Sequence, residues 1–180
     1  MALPKEDIYT IEDIYALPDG ERAELIDGQI YYMAPPSRKH QKLSGEIFGI
    51  IREYIRSNYG ACEVYTAPFA VYLDEHTNTY VEPDISVICD PKKLDDRGCI
   101  GAPDWIVEIV SPSSKQMDYY KKLFKYRTAG VREYWVVDPD KNLILVYNFE
   151  QGTSEQYTLS DKVKAGIYEN LVIDFRNIRL

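Results

Sequence analysis

Asp84, Glu108, Asp118 and Lys122 are the residues of this chain whose types and spacing best suit chemistry. Asp84 closes the run Glu82-Pro83-Asp84 just ahead of the apolar stretch ISVIC, and Glu108 lies inside another, DWIVEIV. With the period of two that a strand imposes, Glu82, Asp84 and Ser86 share one face, and Val81, Pro83, Ile85, Val87 and Cys89 share the other. Glu108 has apolar neighbours on both sides. If buried, such a carboxylate costs several kcal/mol unless a cation meets it or it takes a proton, and a divalent metal would serve. On an edge strand the same glutamate would point to water and block aggregation. Asp118, Lys122 and Tyr126 fall at i, i+4 and i+8 and line one face of a helix, with Lys121 and Lys125 alongside. Met117, Tyr120, Leu123 and Phe124 then form its apolar face. Spacing alone also fits a solvated helix face with one i, i+4 ion pair.

The elements that must position these groups follow from pattern. Thr10 with Asp13 opens a short helix that Pro18-Asp19-Gly20 closes, and Asp27-Gly28 marks the turn of a hairpin in AELIDGQIYYM. Pro35-Pro36-Ser37 caps a long helix to about Asn58, with Leu43, Ile47, Ile50, Ile51, Tyr54 and Ile55 at helical spacing. Three strands are expected next, EVYTAPFAVYL, TYVEPDISVIC and DWIVEIV. Ser111-Pro112-Ser113-Ser114 ends the third and starts a helix that Gly130 stops, and REYWVVDP and LILVYNF follow as strands. A helix between strands suits parallel pairing, so the expectation is one α/β or α+β domain.

Composition narrows the class. The chain has 180 residues, 45% hydrophobic and 28% charged, enough for one domain with a core of its own. Three cysteines, Cys62, Cys89 and Cys99, are odd in number and contain no C-x-x-C pair, which argues against a disulfide framework and a zinc ribbon and favours a cytoplasmic address. No stretch has signal-peptide or membrane-span character, so a soluble, unprocessed protein is expected. A net charge of −8 weighs against a polyanion partner. Residues 1–30, however, hold eight acids and two bases, whereas Lys115 to Arg132 carries six bases against the single acid Asp118. One basic stripe therefore survives on the helix that bears Lys122.

Taken together, EPD at Glu82–Asp84, DWIVEIVSPSS at Asp104–Ser114, D-x-x-x-K-x-x-x-Y at Asp118–Tyr126 and AGVREYWVVDP at Ala129–Pro139 resemble the bacterial, Uma2-type branch of the PD-(D/E)XK nuclease superfamily. ELIDG at Glu24–Gly28 and APPSRKHQ ahead of the long helix extend the likeness over nearly the whole chain. The resemblance implies a restriction-endonuclease-like fold: a central mixed β-sheet flanked by helices, with residues 1–36 as a helix and hairpin appendage and residues 37–180 as the nuclease core. It further implies an endonuclease that hydrolyses DNA phosphodiester bonds with Mg²⁺, or Mn²⁺ in its place. A homodimer is expected from the chemistry of such a reaction, because two sites related by a two-fold axis suit the two strands of a duplex.

Carried onto this chain, the resemblance makes Asp84 and Glu108 the metal-binding carboxylates, a donor set suited to a hard, hydrated ion. Val110 stands where the family's usual lysine would, and Lys122 is expected to take that role and polarise the attacking water. Glu24 and His40 are further catalytic candidates, with a hairpin surface glutamate and a capping histidine as their plain alternatives. Glu82 is a candidate member of the acidic cluster. His76 reads as a loop residue, and Trp105, Trp135 and most of the tyrosines read as packing. Two other classes stay open: a non-catalytic module that keeps the fold for DNA binding or protein association, and a hydrolase that uses the carboxylates on another substrate such as a glycoside.

Overall fold

A computed structural model describes residues 8–74 and 79–180, so His76 lies outside the described residues. The chain starts with α1 (Ile11–Tyr15), whose Thr10 amide donates to the Asp13 carboxylate at 2.7 Å. Strands β1 (Ala23–Ile26) and β2 (Gln29–Tyr32) form the expected hairpin. Its turn residues Asp27 and Gly28 have φ of 54° and 74°, the left-handed pair a two-residue hairpin turn requires. The long helix α2 (Arg38–Ser57) begins at Ser37, whose hydroxyl accepts the His40 amide at 3.2 Å.

Strands β3 (Glu63–Thr66), β4 (Val71–Tyr72), β5 (Tyr80–Val81), β6 (Ile85–Ile88), β7 (Leu94–Asp95), β8 (Gly98–Ile100) and β9 (Trp105–Ile109) come next. A π turn over Met117–Lys121 leads into α3 (Lys122–Ala129), which Gly130 closes at φ 96°. Strands β10 (Glu133–Asp138), β11 (Leu143–Asn148), β12 (Thr153–Tyr157), β13 (Lys162–Lys164) and β14 (Val172–Asp174) complete the chain.

The central sheet runs β12-β11-β10-β9-β6-β3, and a second sheet runs β2-β1-β5-β4-β8-β7. Strands β9 and β10 are parallel, with α3 in the crossover between them, and the other neighbours in the central sheet are antiparallel. On one face of this sheet Leu43, Ile47, Ile51 and Ile55 of α2 pack on Ile85, Val87, Trp105, Val107 and Trp135. On the other, Ile88, Ile106 and Val136 pack with Tyr126 of α3 and with Ile26, Val71 and Val81 of the second sheet. Trp105 and Trp135 are fully buried, with ring centroids 4.9 Å apart.

At the level of the fold, the structure corrects three sequence expectations. EVYTAPFAVYL and TYVEPDISVIC are not single strands: each breaks at a proline, Pro68 or Pro83, and passes from one sheet to the other. Proline has no N–H for the ladder, so a strand that contains one ends or changes partner there. The Ala67 amide donates to the Asp84 carbonyl at 3.1 Å and ties the two crossings together. Val81 therefore leaves the face shared by Ile85 and Val87, and Glu82 and Asp84 turn to different partners. The second correction is that Cys62 and Cys89 are joined as a disulfide at the end of the β3–β6 pair. Odd number and spacing could not reveal that two cysteines meet across strands, and they no longer argue for a reducing compartment. No helix among the described residues is long and apolar enough to cross a membrane.

The third correction is an inversion. Of the helix face expected to be apolar, Met117 and Leu123 pack partly buried against the core but Tyr120 and Phe124 are 72% and 63% exposed, while Asp118, Lys122 and Tyr126 are buried. The hairpin is likewise built into the second sheet, with Leu25 opposite Tyr80.

One buried acid away from the cleft is fully matched. Glu133 is fully buried and accepts from the Trp135 indole at 2.6 Å and the Ile167 amide at 2.8 Å. Glu133→Ala leaves both donors without a partner and is expected to cost about 2–3 kcal/mol, read by urea unfolding. A loss below about 0.5 kcal/mol would contradict this pairing.

Candidate active site

A cleft of about 570 Å³ opens between the hairpin, the start of α2, the ends of β6 and β9 and the π turn before α3. Antiparallel pairing sets Ile85 opposite Val107, so the next pair outward is Asp84 opposite Glu108. Glu108 lies on a central strand, so the edge-strand alternative does not hold. The Asp84 amide donates to Glu108 Oε2 at 3.3 Å. Asp84 Oδ2 accepts from the Ile109 amide at 2.7 Å and lies 3.1 Å from His40 Nε2. Both carboxylates line the cleft.

Lys122 is 4% exposed, and three acids surround its ammonium. Glu108 Oε1 and Glu24 Oε2 each lie 2.9 Å away, and Asp118 Oδ1 lies at 3.5 Å. Tyr126 donates to the same Glu108 Oε1 at 2.7 Å. The face that the sequence also allowed to be solvated is thus the one the fold buries, because Glu108 and Glu24 need a cation inside. The π turn lies at this point of the helix, as such turns often do where side chains must be re-aimed.

One cation among several acids leaves negative charge in excess. Burial pushes the Glu108 carboxyl well above the usual carboxylate range, although Lys122 opposes it. Burial also raises Asp118, to about 6, again against Lys122. For Lys122 burial disfavours the charge, but Glu108, Glu24 and Asp118 outweigh it and hold the ammonium charged. For His40 burial likewise opposes the charge, and the hydrogen bond and charge of Asp84 raise it overall. Asp118 has a consequence for pH. A carboxyl whose folded pKa is raised gives stability that is complete below its unfolded value of 3.8 and is lost as pH rises through about 6. Asp118→Asn is therefore expected to remove part of the decline in unfolding midpoint across that window, measured without metal. Parallel pH profiles for wild type and variant would overturn this.

The sequence candidates divide as follows. Asp84, Glu108, Lys122, Glu24 and His40 converge on the cleft. Glu82 lines it too but is tied to Arg22 and Tyr80 and makes no contact with Lys122. Pattern reading missed Arg22, and it saw Tyr126 only as a position on a helix face. The hairpin's alternation was the available signal for Arg22, since it shares a face with Glu24.

The basic stripe is a correction. Lys122 is internal, Lys121 rests over the Tyr31 ring at 4.8 Å and Lys125 pairs with Asp27. Arg132 bridges Asp104 at 3.3 Å and Glu150 at 2.8 Å. Three of the six bases, Lys122, Lys125 and Arg132, are thus already paired with acids.

For a metal, the donor chemistry is that of hard oxygens. No group of three or more His, Cys, Asp or Glu side chains among the described residues is arranged to hold an ion. Asp84 and Glu108 nevertheless sit side by side at a cleft with excess negative charge. Mg²⁺ keeps several waters and commonly takes only one or two carboxylates, so this pair fits it.

The family model Uma2, described as "Putative restriction endonuclease", matches residues 11–172. The chain belongs to the Uma2 family. Among relatives of this Uma2 chain, the "Uncharacterized protein slr1290" of Synechocystis sp. is 32% identical over 98 residues, 54% of this chain and 50% of that protein. The match spans about half the length of this curated relative. A solved structure described as "a putative nuclease belonging to DUF820", from Anabaena variabilis, superposes with a TM-score of 0.76 at 22% identity. It covers 94% of this chain and 96% of its own, and it shows that the Uma2 chain has the restriction-endonuclease-like α+β fold.

Proposed function

We propose that this Uma2 protein is an endonuclease that hydrolyses DNA phosphodiester bonds with Mg²⁺ held by Asp84 and Glu108. The observation that carries the reading is the opposition of these two carboxylates across β6 and β9, at a cleft, with the Lys122 ammonium 2.9 Å from Glu108. Mg²⁺ bound there would activate a water and offset the charge that grows on the phosphate.

The chain's own residues prepare that pair. His40 and the Ile109 amide hold Asp84 Oδ2, which leaves its other oxygen for the cleft. Lys122 and Tyr126 hold Glu108 Oε1, which turns Oε2 toward Asp84. Lys122 first of all fixes and neutralises the acids and brings one positive charge to the cleft floor. Glu24 steadies Lys122 and accepts the Glu82 amide at 2.9 Å. A homodimer would set two such clefts against the two strands of a duplex.

Incubation of supercoiled plasmid with the purified protein tests the reading. Nicked and linear forms are expected in Mg²⁺ and not in EDTA. Tight DNA binding without any metal-dependent cleavage would replace the enzyme by a binding module of the same fold.

A further inference from the structure

We infer that Arg22 is a substrate-binding residue, a contact to a backbone phosphate of the DNA strand in the cleft. This rests on the nuclease reading for its substrate and on separate geometry for its site. In the hairpin, Ala23 pairs with Tyr32 and Glu24 with Tyr31, and the Met33 amide donates to the Arg22 carbonyl at 2.8 Å. Alternation then sets Arg22 on the same face as Glu24, whose carboxylate touches Lys122. Arg22 lines the cleft, and its side chain is 38% exposed.

Its guanidinium is fastened from behind. Arg22 Nε donates to Glu82 Oε2 at 2.9 Å, and one terminal nitrogen binds the same oxygen. Tyr80 holds the other oxygen of Glu82 at 2.6 Å, and Glu24 holds the Glu82 amide. Glu82 itself is buried. A guanidinium carries five N–H donors in a fixed plane, and Glu82 engages only its inner edge. The remaining donors have no partner among the described residues, and Arg22 belongs to the lining of the cleft. A planar fork pre-set in this way loses little entropy on meeting an oxyanion, and phosphate is the group its geometry matches. Neutralising Glu82 alone would not require a partly exposed side chain.

DNA binding in Ca²⁺, with cleavage followed in parallel in Mg²⁺, tests the assignment. Arg22→Gln alone strands the buried Glu82 charge and can harm folding, so the deciding comparison is Glu82→Gln against Glu82→Gln/Arg22→Gln, where that charge is absent. The double variant is expected to bind a short duplex roughly tenfold more weakly, with the slope of log affinity against log salt smaller by about 1. Equal affinity and equal slope in the two variants would overturn the contact and leave the nuclease reading standing. Wild-type protein that binds DNA and never cuts it, with the Arg22 effect intact, would overturn the nuclease reading alone. Wild-type protein that cleaves but shows no salt-dependent binding would overturn the Arg22 contact.

Discussion

Lys122→Met is expected to destabilise the protein by about 3–5 kcal/mol, the cost of removing one partner from a buried ion cluster. Methionine matches the length of the lysine stem, so the loss is of charge and hydrogen bonds more than of packing. Glu108, Glu24 and Asp118 would then be left with no cation, and Glu108 and Asp118 are already raised by burial with Lys122 present. For a chain of this size the unfolding midpoint should fall on the order of 10 °C. The effect carries a pH signature. Raised carboxyls favour the folded state fully only below their unfolded pKa, about 4, and the penalty grows as pH rises. Wild type and variant should therefore converge toward pH 4 and separate above it, in melting curves taken without metal. A gap that is small at pH 8, or the same at pH 4 and 8, would show that Lys122 does not neutralise these acids.

Glu108→Gln and Asp84→Asn are expected to do the opposite: leave the fold nearly intact and slow the reaction strongly. Burial favours the uncharged form of Glu108, and glutamine is close to that form in shape. Lys122 keeps Glu24 and Asp118 as partners, and the Ile109 amide can still bond the asparagine oxygen at position 84. On the proposed mechanism, cleavage needs both carboxylates ionised toward Mg²⁺, and each substitution should lower the rate by about 10²–10³-fold, the scale of losing one preorganised electrostatic group. Cleavage rates and melting temperatures on the same preparations separate the two effects. Variants that cut at the wild-type rate would remove Asp84 and Glu108 from the site.

The legible part of this site was the part built from short range. Asp27-Gly28 announced its turn, Ser37 its helix, and the apolar runs around Ile85 and Val107 their strands, because each depends on neighbours within one turn or one pleat. The wrong readings had physical causes as well. Period alone put Tyr120 and Phe124 inside, since hydrophobicity ranks faces only when no buried charge competes. Here Glu108 and Glu24 made Lys122 the side chain that had to go in. The parity of Glu82 and Asp84 failed because Pro83 ends one strand and releases the next into another sheet.

The amino-acid sequence by itself singled out Asp84, Glu108 and Lys122 as candidates and set the local elements that carry them. Only the tertiary structure decided that β6 would lie beside β9, so that Asp84 faces Glu108, and that a hairpin would deliver Glu24 and Arg22 to the same cleft. It also decided that Cys62 would meet Cys89. Strand adjacency and the meeting of distant charges depend on which surfaces remain to be covered once local elements exist. That is settled by burying apolar area and pairing the charges caught inside, and no window of sequence contains both sides of such a contact.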